Sequence, residues 1–335
     1  MKSAEPIDIV YTWCDDADPV WRAKRLACAE RVGRILPAGG QDAVRFRTND
    51  DLRYALRSLE NCAPWVRKVH LVVDDAAALP VWLDADHSKL NVVRHSAFLP
   101  ESALPCFNSY VIELYLHAIP GLAERFLYAN DDMMFARPIR PDFFFAADGY
   151  PVCRYTWTRI PEREGSNYRR CILNAEELLE RHFGVHGAYA EAFRHWPHHN
   201  VDAYLKSDYA ECFRIFEASL WRMTHAPFRT DDDCERTLFM GYALCIGHGH
   251  LRYARRGASL NRAWYKRFLR PGYADSLVFQ DGKWRQATAY LEKFKPGLFC
   301  VNDTDGVYSE EKSERLQEFY RSLFPKPSSF ERSED

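Results

Sequence analysis

The feature that most constrains this chain is the stretch ERFLYANDDMMF at residues 124–135. An apolar, partly aromatic run, Phe126 to Ala129, stops at Asn130-Asp131-Asp132 and resumes at Met133-Met134-Phe135. The first run has the length and composition of a buried strand in an α/β sheet. Carboxylates at its carboxyl end would sit where open α/β sheets bind ligands, in the crevice beyond the strand tips. Two acids and an amide make a hard oxygen site suited to Mg²⁺ or Mn²⁺ carrying a diphosphate. The structural alternative is a polar turn whose Asn and Asp cap the next element.

Two other runs repeat the pattern. IDIVYTW, residues 7–13, meets Cys14-Asp15-Asp16-Ala17-Asp18-Pro19, and Leu298–Val301 meets Asn302-Asp303-Thr304-Asp305. Three acid-tipped strands are expected to converge on one crevice, where carboxylates repel unless a cation compensates.

Strand and helix signals alternate through the first half, which predicts a mostly parallel sheet with right-handed crossovers. Leu52, Ala55, Leu56 and Leu59 mark a helical face that Asn49 or Asp50 would cap and Pro64 would end. Strands are expected at Val69–Val73 and Leu90–Val93, and a second helix opening at Asn108 or Ser109. Arg53 and Arg57 lie one helical turn apart, as a solvated face or as a phosphate-facing pair. Glu113, the single acid of its helix, reads from pattern alone as a surface residue. The second half is less regular: a strand within 150–157, a helix over 170–183, and a histidine group from His195 to His199 without the H-E-x-x-H pattern of a zinc protease. Thr230 or Asp231 would cap a helix with Leu238, Tyr242, Leu244 and Cys245 on its apolar face. An amphipathic helix over 308–324 closes the chain before a polar end expected to fray. The resulting division is an α/β core over 1–148, a helix-rich part over 149–306 that completes the site and returns to the core, and a terminal helix and tail over 307–335.

Composition removes several classes. A formal charge of −2 offers no basic field for nucleic acid. Ten cysteines without a C-x-x-C pair argue against a structural zinc site and against a disulfide framework. No signal-peptide pattern and no apolar run of about eighteen residues are present, so the expectation is a soluble, reduced, cytoplasmic protein. P-loop, dinucleotide and hydrolase-elbow motifs are missing.

The blocks themselves resemble a known family. IDIVYTWCDDADPVW is similar to the first conserved block of the Stealth proteins. RFRTNDDLRYALRSLENCAPWVRKVHLVV, continuing through LPCFNSYVIELYLHAIPGLAERFLYANDDMMF, is similar to the second. HWPH with FRTDDD resembles the third block and FCVNDTD the fourth, all in order. The resemblance implies a glycosyltransferase-A-like nucleotide-sugar core. It also implies transfer of a sugar-1-phosphate, in the family typically from a UDP-hexosamine, to a glycan hydroxyl with release of UMP, assisted by Mg²⁺ or Mn²⁺. By motif position it implies Glu113, Asp132, His195 and Arg229 as functional residues. Asp15, Asn49, Arg53, Asn108, Asp131 and His198 are the candidate substrate contacts, and Asp132, Asn302 and Asp303 the candidate metal ligands. Departures at Cys14, Cys106 and Asp74-Asp75-Ala76 leave those four functional positions untouched. The chain resembles a minimal bacterial version acting in capsule or exopolysaccharide synthesis. The tail helix is a candidate for peripheral membrane contact.

Two rival readings share the same acidic tips. An ordinary metal-dependent glycosyltransferase would release UDP, and a carbohydrate-binding protein would use its nine Trp and eighteen Tyr for stacking without turnover.

Overall fold

The computed structural model describes residues 5–34, 46, 48–161, 166–255, 258–259, 275–280, 283–302 and 310–332. Its centre is a five-stranded sheet in the order β3-β2-β1-β4-β8. The strands are β1 (Ile7–Thr12), β2 (Val69–Val73), β3 (Leu90–Arg94), β4 (Arg125–Asn130) and β8 (Asp202–Leu205). The first four run parallel, and β8 closes the edge antiparallel to β4. β1 and β2 are buried nearly throughout, as parallel strands covered on both faces must be. The α/β class with a mostly parallel sheet is therefore as expected.

Two smaller sheets complete the fold. β10 (Ala258–Ser259), β11 (Ser276–Gln280) and β12 (Leu298–Asn302) run parallel, and β5 (Met133–Phe135) joins β12 antiparallel. β6 (Val152–Arg159) is flanked by β7 (His195–Pro197) and β9 (His250–Tyr253). From β1 the chain builds outward to β2 and β3, then crosses to β4 on the other side of β1. That reversal opens a crevice beyond the carboxyl ends of β1 and β4, whose last register pair is Thr12 with Asn130.

Several local expectations are corrected. Asp50 occupies the cap position of the helix Asp51–Cys62, but with a left-handed backbone (φ 64°) and no side-chain capping bond. Instead the Asp51 carboxylate accepts from Asn49 N at 2.8 Å. The Asp run at 231–233 does not open a helix; that helix begins at Thr237. Asp233 turns inward and accepts from Thr230 N and Oγ1 at 2.8 and 3.0 Å.

Nor do the described residues of the tail, up to 332, fray. Arg57 grips Glu331 through two bonds of 2.7 and 2.6 Å, and Phe330 is buried. Arg53 lies over the Trp82 ring and pairs with Asp50 at 3.4 Å and Glu331 at 3.5 Å. Neither the solvated nor the phosphate-facing reading of Arg57 holds: its partner is the carboxyl-terminal segment. The helix Glu310–Leu323 packs Leu316, Phe319 and Tyr320 into the core, so the apolar face a membrane contact would need is already used. All ten cysteines are free thiols, and among the described residues no helix is long and apolar enough to cross a membrane.

Candidate active site

The site grows from the short helix Ser109–Leu114. Asn108 caps it by accepting from Tyr110 N at 3.1 Å, and its amide donates to Asp233 at 2.9 Å. The FRTDDD loop is thereby stapled to the start of this helix. The staple places Arg229, whose guanidinium bonds Ser109 Oγ and lies 4.3 Å from the centre of the Tyr110 ring. Among the described residues Arg229 has no ion-pair partner.

One turn along, Glu113 is 3% exposed, which corrects the surface reading. Its Oε2 lies 3.6 Å from Arg236, which also pairs with Asp202 at 3.1 Å and Glu235 at 3.0 Å. His198 in turn meets Asp202 at 2.8 Å. Burial pushes the Glu113 carboxyl up to about 7, with Arg236 opposing. Asp202 is buried as well, yet His198 and Arg236 hold it below the usual range. The Tyr128 hydroxyl stands 3.1 Å from Glu113 Oε1, 2.9 Å from Asn130 Oδ1 and 3.0 Å from Thr12 Oγ1. One phenolic proton cannot serve both the carboxylate and the amide oxygen. The phenol therefore donates to one of the two, and Thr12 Oγ1 completes the group.

A third group lies where β4 hands over to β5. Antiparallel pairing of β5 with β12 brings Val301 N to Asp132 O at 3.1 Å. The Cys300 thiol then sits 3.5 Å from Asp132 Oδ2 and 3.4 Å from Asn302 Oδ1. Two of the three acid-tipped runs thus meet side by side, although β12 belongs to a different sheet. Burial, with the neighbouring Asp51 charge, pushes the Asp132 carboxyl up to about 7. Asp51 is itself buried, accepts from the Tyr320 hydroxyl at 2.6 Å and is raised by burial.

The other expected positions are distributed around these clusters. Asp15 closes the turn after β1 by accepting from Ala17 N at 2.9 Å. Asp131 is half-buried, and its charge acts on Cys14. Asn49 donates its backbone N–H to Asp51. His195 stands apart from the Glu113–Arg236 network: its Nδ1 is 3.0 Å from Thr156 O and its ring packs against Tyr253. Because a carbonyl only accepts, Nδ1 carries a proton, and in the neutral ring Nε2 is then the acceptor. Asp303 lies outside the described residues.

Sequence reasoning missed Arg236, Asp202, Glu235 and Asp51. For the first three no local spacing distinguishes them. Asp51 did carry a signal: Asn49-Asp50-Asp51 repeats the Asn130-Asp131-Asp132 triplet, and the two triplets meet through the Asp51 and Asp132 charges.

A divalent cation fits this chemistry. Asp132 Oδ1 is buried without a hydrogen-bond partner among the described residues, and a hard cation would satisfy it. Asn302 Oδ1 supplies a second oxygen. Mg²⁺ is commonly held by one or two carboxylates together with substrate phosphates and water. Among the described residues no group of three or more His, Cys, Asp or Glu side chains is arranged to enclose a metal by itself.

The chain belongs to the Stealth family. Stealth protein conserved region 1 matches residues 5–32, conserved region 2 residues 45–153 and conserved region 4 residues 290–335. The exopolysaccharide phosphotransferase SCO6023 of Streptomyces coelicolor is 37% identical, over 98% of this chain and 53% of that protein. The exopolysaccharide phosphotransferase CpsY of Mycobacterium tuberculosis H37Rv is 34% identical, over 97% of this chain and 58% of its own length. The chain spans about half the length of such relatives. Among solved structures, the galactosyltransferase LgtC aligns with a TM-score of 0.43 at 12% identity, over 96% of this chain and 97% of that one.

Proposed function

We propose that the protein transfers a sugar-1-phosphate, of the hexosamine class, from a UDP-sugar to a hydroxyl of a glycan acceptor in exopolysaccharide synthesis, releasing UMP. The observation that carries this reading is a set of side chains whose charges act on one another: Arg236 and Arg229 on Glu113, and Arg236 on Asp132, which the Cys300 thiol joins to Asn302. Phosphoryl transfer asks a protein mainly for positioning and charge stabilisation, which is what these groups offer. The names of the relatives support the reaction class.

In this mechanism the acceptor oxygen attacks the β-phosphorus of the donor. The bond from that phosphorus to the oxygen bridging the two phosphates breaks, UMP departs with the bridging oxygen, and the sugar keeps its anomeric C–O bond. His195 Nε2 takes the hydroxyl proton, its lone pair held by the Nδ1 bond to Thr156. Arg229 stabilises the equatorial phosphoryl oxygens. Glu113 orients the sugar or the acceptor within hydrogen-bond reach of Tyr128. Asp132 and Asn302, with Asp303 next in sequence, would hold Mg²⁺ or Mn²⁺, which when bound neutralises diphosphate charge. Asp15, Asn49, Arg53, Asn108, Asp131 and His198 are proposed to line or brace the donor site.

The test is incubation of the protein with UDP-N-acetylglucosamine, Mg²⁺ and a panel of glycan acceptors, followed by identification of the released nucleotide. UMP with a phosphorus-containing product is expected. UDP would identify an ordinary glycosyltransferase and overturn the proposal.

A further inference from the structure

Trp157, near the end of β6, is 71% exposed. Its indole is nonetheless held flat on Tyr253 of β9, with ring centroids 3.9 Å apart and planes inclined by 18°. Tyr253 is fixed by its hydroxyl, which donates to the Glu191 carbonyl at 2.6 Å. Its ring also meets the His195 ring at 5.4 Å. Strand register explains the grouping. Tyr155 pairs with Tyr253 in the parallel β6–β9 ladder, and Trp157 follows two residues on, on the same face. Arg159, two further, pairs with His195 across β7. Arg159 is exposed and has no ion-pair partner among the described residues.

The stack on Tyr253 holds the indole in place and leaves its other face open. That face matches the C–H face of a pyranose ring, which lies on an aromatic π-face through apolar contact while its hydroxyls stay in water. The exposed, cationic Arg159, on the same face two residues on, borders it, suiting a sugar chain that carries phosphate groups. Two successive ring contacts lead from the indole to His195, a span on the scale of a disaccharide.

We propose that Trp157, stacked on Tyr253, is the platform on which a sugar of the glycan acceptor rests, so that the chain end is delivered to His195. This rests on the phosphotransfer reading for its direction, though not for glycan binding itself. A second copy of this chain covering the indole is the competing occupant.

The test titrates the full chain, without donor, with oligosaccharides: a β-linked N-acetylglucosamine tetramer, a glucose tetramer and a phosphate-bearing counterpart of each. Intrinsic fluorescence follows binding, and sedimentation follows the oligomeric state. Wild type should show a fluorescence shift with at least one of these probes. Trp157→Ala should remain folded and bind that probe roughly five-fold or more weakly, and Trp157→Phe should keep most of the affinity. Nucleotide release from the donor is followed in all three proteins. No response from wild type to any probe would overturn the platform, as would equal binding by Trp157→Ala. So would a change of oligomeric state in Trp157→Ala without a change in glycan binding. If Trp157→Ala loses glycan binding but no protein releases UMP, the platform stands and the transfer reading falls.

Discussion

Arg236 and Glu113 face each other across 3.6 Å in the interior of the site, with Asp202 and Glu235 as further anions on the same guanidinium. One cation thus compensates three buried acids. Removing it would leave those charges unpaired, so Arg236→Met should cost about 3–5 kcal/mol in denaturant unfolding. Glu113→Gln keeps the volume and removes only the acid. It should fold with near-native stability and lose about 100-fold or more in kcat. Unchanged turnover in Glu113→Gln would remove the residue from the chemistry.

Asp132 links the site to pH. Its folded carboxyl, at about 7, lies above the ordinary 3.8. Between those values the native state binds more protons than the unfolded state, so stability falls as pH rises through this window. Asp132→Asn should therefore be more stable than wild type at pH 8, by on the order of 1 kcal/mol, with the gap closing toward pH 4. Mg²⁺ should raise the melting temperature of wild type at pH 8 and leave Asp132→Asn unmoved, a readout independent of turnover. Equal Mg²⁺ shifts in both proteins would place the cation elsewhere.

His195 separates binding from chemistry. His195→Ala should lower kcat by about 100-fold while donor affinity, measured by calorimetry with UDP, changes by less than about three-fold. Comparable losses in both would make His195 a donor-binding residue instead of the base.

The carboxyl-terminal strap is a structural claim. Arg57 and Glu331 are both largely buried, so Glu331→Ala leaves a buried guanidinium and should cost about 3 kcal/mol. Arg57 holds the Glu331 carboxyl below its ordinary range although burial opposes it. The strap's contribution is therefore full above pH 4.5 and is lost as pH falls through the lowered value. Thermal melts of wild type and Glu331→Ala should accordingly converge in acid.

The strands and the switch-point crevice were legible in the sequence because period and punctuation are local. Val69–Val73 is found where it was expected, and the acid tips follow from where an apolar run stops. What could not be read were pairings between distant residues. Glu113 resembles a surface acid because nothing near it in sequence announces Arg236, and Arg57 because its partner Glu331 lies at the far end of the chain. The Asp231–Asp233 run misled for a related reason. Asp233 caps no helix but bonds Asn108, a tertiary contact that outweighs its local capping preference.

The most direct test of the central claim follows the donor's β-phosphate. With UDP-N-acetylglucosamine labelled with ³²P at that phosphate, Mg²⁺ and a responsive glycan acceptor, the account predicts label in the glycan and unlabelled UMP. Label leaving as UDP, with an unlabelled glycosylated product, would contradict it.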